Sequence, residues 1–237
     1  MCTLTYVPQA NGGLITSNRD EMISRNSSLL IQKNIGEMKL LMPVDPQSKG
    51  TWIGASKRAI AVLLNGGDTT YNFSEYSDKE SRGNLIPWFF ESNCNSEFYN
   101  SKSLSNFAPF TLVMFIQGKE TIINELVWSG EHSEHRIHSA DTPQIWSSST
   151  LYSNDIKRIK RQLFLNKIQS EKSNYPPLLK SLHLSSPLGL ENGFRIQRDN
   201  GLATISLCQI EWDEQRLTFS FHNLLDPAGQ VEHKMSL

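Results

Sequence analysis

The order in which strand and helix signals occur constrains this chain most. Short apolar runs of strand length cluster together, and helical patterns fall in blocks between them. Residues 4–7 and 14–16 flank a turn-forming segment, 8–13, that contains Asn11-Gly12. Asn-Gly between apolar runs is a strong hairpin cue, because both residues tolerate positive φ. Residues 39–42, 51–55 and 59–64 read as further strands, the last closed by Gly66-Gly67. Residues 79–90 read as helical, kinked or restarted at Pro87, with an added turn at 96–101. Strands at 111–116 and 121–127 follow. Asn154 stands where it can cap a helix over 155–170, with Ile156, Ile159, Leu163, Leu165 and Ile168 as its apolar stripe. A second helix is predicted over 177–183, and 203–210 with 216–221 closes the chain as a hairpin. Strands, helices, strands, helices, strands is not a β-α-β alternation. A doubly wound parallel sheet is therefore disfavoured, and a layered α+β fold with largely antiparallel sheets is expected. No repeat or linker divides the chain, so residues 1–237 read as a single domain.

Charge and cysteine content narrow the function. Lys+Arg is 23 against 24 Asp+Glu, a formal net charge of −1. No global basic excess points to nucleic acid or to an anionic membrane surface. No apolar run approaches the roughly 20 residues that span a bilayer, and the N-terminal stretch lacks a secretory pattern. Three cysteines, Cys2, Cys94 and Cys208, without a CxxC pair, argue against a disulfide framework and a structural zinc site. The expectation is a cytoplasmic protein that is not membrane-spanning, binds no nucleic acid and acts on a small-molecule ligand or substrate.

Cys2 is the first residue with chemistry. A small residue after Met normally allows the initiator to be removed, which would put a thiol and a free α-amine on one residue. That amine, with an ordinary pKa of about 7.7–8.0, can serve as base for its own thiol. The alternative is a small buried apolar residue that happens to be second. The polar cluster Asn18-Arg19-Asp20-Glu21 follows the second predicted strand. A hairpin brings its open ends together, so Cys2 and this cluster become neighbours. Asp20 could orient the terminal amine; Arg19 could bind a carboxylate or lower the thiol pKa. The alternative is a charged turn with internal ion pairs.

These residues carry a resemblance. Met1-Cys2, the NRDE box at 18–21, Ser24-Arg25, GTWIGAS at 50–56, AVLLN ending at Asn65 and Arg82-Gly83 with Leu85 occur in the order seen in the NRDE family, also called the Transport and Golgi organisation family. The chain resembles that family over about its first 85 residues. The resemblance implies the fold of N-terminal-nucleophile hydrolases, a four-layer αββα sandwich. It also implies kinship with amidases whose N-terminal Cys attacks an amide carbonyl. By that analogy Cys2 is the nucleophile, Asp20 orients the amine, Arg19 tunes the thiol, and Asn65 holds the oxyanion. Asn18 and Arg25 belong to the same binding region. Ser149, in the stretch IWSSST, stands where the relatives carry another Asn.

Two functions from different classes follow. One is a Cys-dependent amidohydrolase of linear C–N bonds. The other is a non-catalytic carrier of haem or an acyl-lipid, as the family's links to haem trafficking suggest. No cofactor is required by the first; haem is the ligand of the second. In the carrier reading the cleft is a pocket that Trp52 and Arg25 line, although core packing is the favoured role of Trp52.

Two other runs stand out. Residues 131–138 hold three His and two Glu, but their spacing matches neither HExxH nor a zinc finger. A solvated hairpin turn is the expectation. The basic helix 157–167 reads as a solvated face opposite the apolar stripe. No metal site is assigned.

Overall fold

The computed structural model describes residues 3–25, 29–68, 73–76, 78–95, 99, 104–171, 174–226 and 230–236. In chain order the strands are β1 (Thr3–Gln9), β2 (Gly12–Met22), β3 (Leu30–Ile35), β4 (Met38–Pro43), β5 (Ile53–Ala55) and β6 (Ala59–Asn65). Helix α1 (Leu85–Glu91) comes next, followed by β7 (Phe110–Ile116), β8 (Ile122–Trp128), β9 (Ser133–His138) and β10 (Gln144–Ser147). Helices α2 (Asn154–Ser170), α3 (Tyr175–His183) and α4 (Gly189–Asn192) precede β11 (Leu202–Trp212), β12 (Arg216–Asn223) and β13 (Gln230–Ser236). Among the described residues no helix is long and apolar enough to cross a membrane.

The chain forms two compact units. The first comprises Met1–Leu29, Asp141–Ser147 and Leu151–Leu237. Its six-stranded sheet has the order β10-β1-β2-β11-β12-β13, every pair antiparallel. The β1–β2 hairpin is tighter than expected: Gln9 pairs with Gly12, leaving only Ala10 and Asn11 in the turn. Neither Asn11 nor Gly12 takes positive φ. The glycines serve close approach instead, since a Cβ on Gly13 would lie 2.7 Å from the Trp212 ring of β11.

Helix α2 buries a stripe that overlaps the predicted one. Ile168 is buried and Ile156, Leu163 and Leu165 pack against the core, but Lys160 and Phe164 form its centre and Ile159 falls outside it. Ser153, not Asn154, is its N-cap and accepts the Ile156 amide at 3.3 Å. Lys160, Phe164 and Ile168 are buried at successive i, i+4 positions, whereas Ile159 is 40% exposed. Phe164 and Ile168 join Val7, Leu14, Leu179, Leu182 and Phe194 in one apolar cluster. Pro176 and Pro177 follow Tyr175 in the first turn of α3, where missing amides cost nothing.

The second unit comprises Leu30–Ala140 and Ser148–Thr150. Its seven-stranded sheet runs β3-β4-β5-β6-β7-β8-β9, again antiparallel throughout. Its middle strands β6 and β7 are buried along nearly their whole length. The helix predicted over 79–90 is shorter: a 3-10 turn at Arg82–Asn84 leads into α1, and Pro87 sits in its first turn. The turn predicted at 96–101 lies, apart from Tyr99, outside the described residues. The His-rich run is a turn only up to His132; from Ser133 it is the edge strand β9. Trp52 is buried, as core packing requires.

Candidate functional site

In the first unit the sheet places the NRDE box at one end of a strand, not past it. β2 continues to Met22, and Thr3 at the start of β1 pairs with Asn18. Successive residues of a strand face opposite sides of the sheet. Asn18 and Asp20 accordingly share the side that carries the helices, and Arg19 takes the other. Cys2 lies outside the described residues; it is the covalent neighbour of Thr3.

Asn18 is a structural clamp. Its Nδ2 donates to the carbonyls of His183 at 2.9 Å and Phe194 at 2.7 Å. That fixes the amide orientation and leaves Oδ1 to accept from His183 Nδ1 at 3.1 Å. Nδ1 therefore carries the ring proton, and Nε2 accepts the Thr5 hydroxyl at 2.8 Å. His183 is fully buried, and burial reinforced by the nearby Lys160 charge drops its pKa to about 3. It is a neutral imidazole at physiological pH.

Asp20 is 3% exposed and held from two directions. Thr204 of β11 donates to Oδ1 at 2.5 Å, and the Tyr152 hydroxyl meets Oδ2 at 3.4 Å. The Thr204 contact depends on an irregular register. Asp20 pairs with Thr204 and Arg19 with Ser206, so Ile205 is an extra residue on β11. Such a bulge re-aims the neighbouring side chains.

Tyr152 also faces Lys160. The Lys160 ammonium lies 3.7 Å from the Tyr152 ring centroid and donates to Thr3 Oγ1 at 2.7 Å and to Gly193 O at 3.0 Å. Lys160 is completely buried, which overturns the solvated-face expectation for this helix at that residue. Its neighbours Arg158 and Arg161 are exposed.

On the other side of the sheet, Arg19 is 4% exposed and donates to the Arg25 carbonyl at 3.1 Å. Arg25 in turn pairs with Glu21 at 3.2 Å. The charged box is thus internally braced. Ser206, paired with Arg19, is fully buried, and its hydroxyl has no hydrogen-bond partner among the described residues.

In the second unit Asn65 ends β6. Its carbonyl accepts the Ser148 hydroxyl at 2.6 Å, while its side-chain amide makes no hydrogen bond among the described residues. Ser149 donates its hydroxyl to the Gly67 carbonyl, and Thr111 donates to Gly66 O at 3.0 Å. Ser148–Thr150 and the Asn65–Gly67 turn are therefore tied together. Ser149 has one proton to donate, and Gly67 takes it.

The histidines of β9 are otherwise engaged. His135 stacks on Tyr99 with ring centroids 4.1 Å apart, and His138 Nε2 meets Glu125 at 2.6 Å. Arg136 bridges Asp68 and Glu134 at 2.5 and 2.6 Å. Among the described residues no three His, Cys, Asp or Glu side chains converge to hold a metal. The β9 imidazoles thus form one stacked and one hydrogen-bonded pair on an edge strand.

Four residues of the first-unit cluster were invisible to motif reasoning: Tyr152, Lys160, His183 and Thr204. Only Lys160 left a trace, as a lysine recurring at i+4 from Ile156 and four before Phe164.

Solved structures share this architecture. A penicillin V acylase from Agrobacterium tumefaciens superposes with a TM-score of 0.57 at 9% identity, covering 100% of this chain and 86% of its own. Two variants of a conjugated bile acid hydrolase from Clostridium perfringens give TM-scores of 0.58 and 0.57 at 10% and 8% identity, covering 99% and 100% of this chain and 92% of theirs. The fold is therefore the α+β fold of N-terminal-nucleophile hydrolases, built on largely antiparallel sheets. The chain belongs to the Transport and Golgi organisation 2 family, whose model matches residues 1–202. No curated protein gives a significant match.

Proposed function

We propose that the protein is a cysteine-dependent amidohydrolase that cleaves linear C–N bonds. The observation that supports it most is the place of Asp20. Its buried carboxylate is held by Thr204 and Tyr152 where the end of β2 runs beside the start of β1. The acylase and hydrolase named among the structural neighbours make an amide the first substrate class to try.

After hydrolytic removal of Met1, the Cys2 sulfur attacks the amide carbonyl carbon. The thiol proton passes to the Cys2 α-amine and from there to the leaving nitrogen as the C–N bond breaks. Water then adds to the thioester carbon, the same amine carries its proton to sulfur, and a carboxylic acid leaves. Asp20 orients the amine. Asn65, whose carboxamide makes no hydrogen bond among the described residues, is the oxyanion donor, and Arg19 supplies positive charge near the thiol. Asn18 acts through the scaffold, and Arg25 braces Arg19. The test is turnover of a panel of N-acyl amides by wild type and Cys2→Ala. Wild-type turnover abolished in the variant is expected; equal turnover by both contradicts the reading.

A second reading, a non-catalytic carrier of haem or an acyl-lipid, draws support from Ser149, whose proton is held by Gly67. A haem titration with a saturable Soret shift supports it; a linear, non-saturating response removes its haem version.

A further inference from the structure

Lys160 has no part in the reaction as written, yet it is a completely buried charge-bearing side chain in the first unit. It replaces an apolar residue in the inward stripe of α2, with zero exposure. Burying an ammonium costs several kcal/mol, and exchanging buried charge for a well-packed apolar group is often neutral or stabilising. Stability alone therefore gives no reason for a lysine here. Its contacts give another. The ammonium joins Thr3 Oγ1 at the start of β1, Gly193 O, and the face of Tyr152. Tyr152 meets both Asp20 and the same Gly193 carbonyl through its hydroxyl. The next residue, Phe194, accepts from Asn18 through its carbonyl.

We propose that Lys160 is a positioning residue for the nucleophile: it fixes the residue that follows Cys2 and, through Tyr152, the carboxylate that orients the Cys2 amine. This rests on the amidohydrolase reading above. Lys160 faces Thr3 Oγ1 from β1, the Gly193 carbonyl, and the Tyr152 and Phe194 rings, with His183 of α3 in electrostatic reach; Asp20 is joined to this group through the Tyr152 hydroxyl. His183 is neutral, so it does not add to the Lys160 cation. A fixed cation favours thiolate over thiol and free amine over ammonium. Both are the forms in which a cysteine with a built-in base reacts.

The test is the rate of Cys2 alkylation by iodoacetamide from pH 5 to 10, read by mass on the N-terminal peptide. Cys94 and Cys208, both buried, are references in the same digest. The proteins are wild type, Lys160→Met, Lys160→Arg and Thr3→Val. Lys160→Met should raise the apparent thiol pKa by about half to one unit, slowing alkylation at pH 7 about 3- to 10-fold. Lys160→Arg should restore most of the rate. Thr3→Val spares the lysine, keeps the side-chain shape and should shift the profile in the same direction; it decides the matter if Lys160→Met does not fold. An ordinary wild-type thiol, with a pKa of about 8.5, sinks the Cys2 reading itself. A depressed wild-type pKa left unchanged in Lys160→Met and Thr3→Val overturns the role of Lys160 alone.

Discussion

Thr204 donates its hydroxyl to Asp20 at 2.5 Å and accepts the Ile196 amide at 2.9 Å. One threonine on a bulged strand thus locks the carboxylate of the NRDE box and the segment before β11 together. Thr204→Val removes both bonds and leaves a buried carboxylate short of a donor. The expected loss is about 1–3 kcal/mol, read as a lower urea midpoint with unchanged slope. Thr204→Ser should recover most of it.

His183 makes stability depend on pH in a defined direction. Its folded pKa of about 3 lies below the usual value of 6.5, so between these values the unfolded chain binds the extra proton. The stabilisation is complete above pH 6.5 and is lost as pH falls toward 3. The slope from this one group is at most about 1.4 kcal/mol per pH unit. Urea midpoints from pH 7 to 4 should therefore fall less steeply in His183→Gln than in wild type.

The inward face of α2 can be tested by contrast. Phe164→Ala should cost about 3–5 kcal/mol as a core deletion. Ile159→Ala, at a 40% exposed position, should stay within about 0.5 kcal/mol. Thermal melts of the two variants rank the faces directly.

Much of the architecture was readable because its strands announce themselves. β1, β2, β6, β7, β8 and β11 carry buried apolar residues, and the absence of β-α-β alternation gave the antiparallel class. The edge strands β3, β9, β10 and β13 were not seen. β9 and β13 are polar and mostly exposed, which is how edges avoid pairing with other chains, and it erases their period-two signal. The NRDE box was found by motif, but its partners were not. Thr204 lies 184 residues from Asp20 and meets it only through a bulge, which no local pattern announces. Lys160 was assigned to solvent because a lysine on a basic helix ordinarily is.

Asn65→Ala separates chemistry from folding. Its carbonyl, which Ser148 holds, survives the substitution, and its side-chain amide has no bond to lose among the described residues. The urea midpoint should move little. Turnover of any amide the wild type cleaves should fall about 10²- to 10³-fold, the loss of one oxyanion donor.

The most direct measurement is acid-quenched mass spectrometry of the protein mixed with an N-acyl p-nitroanilide. The account predicts a chain lacking Met1, with one acyl group on the peptide that begins at Cys2, removable by hydroxylamine as a thioester is. A chain that retains Met1, or an acyl group found only on other residues, would contradict it.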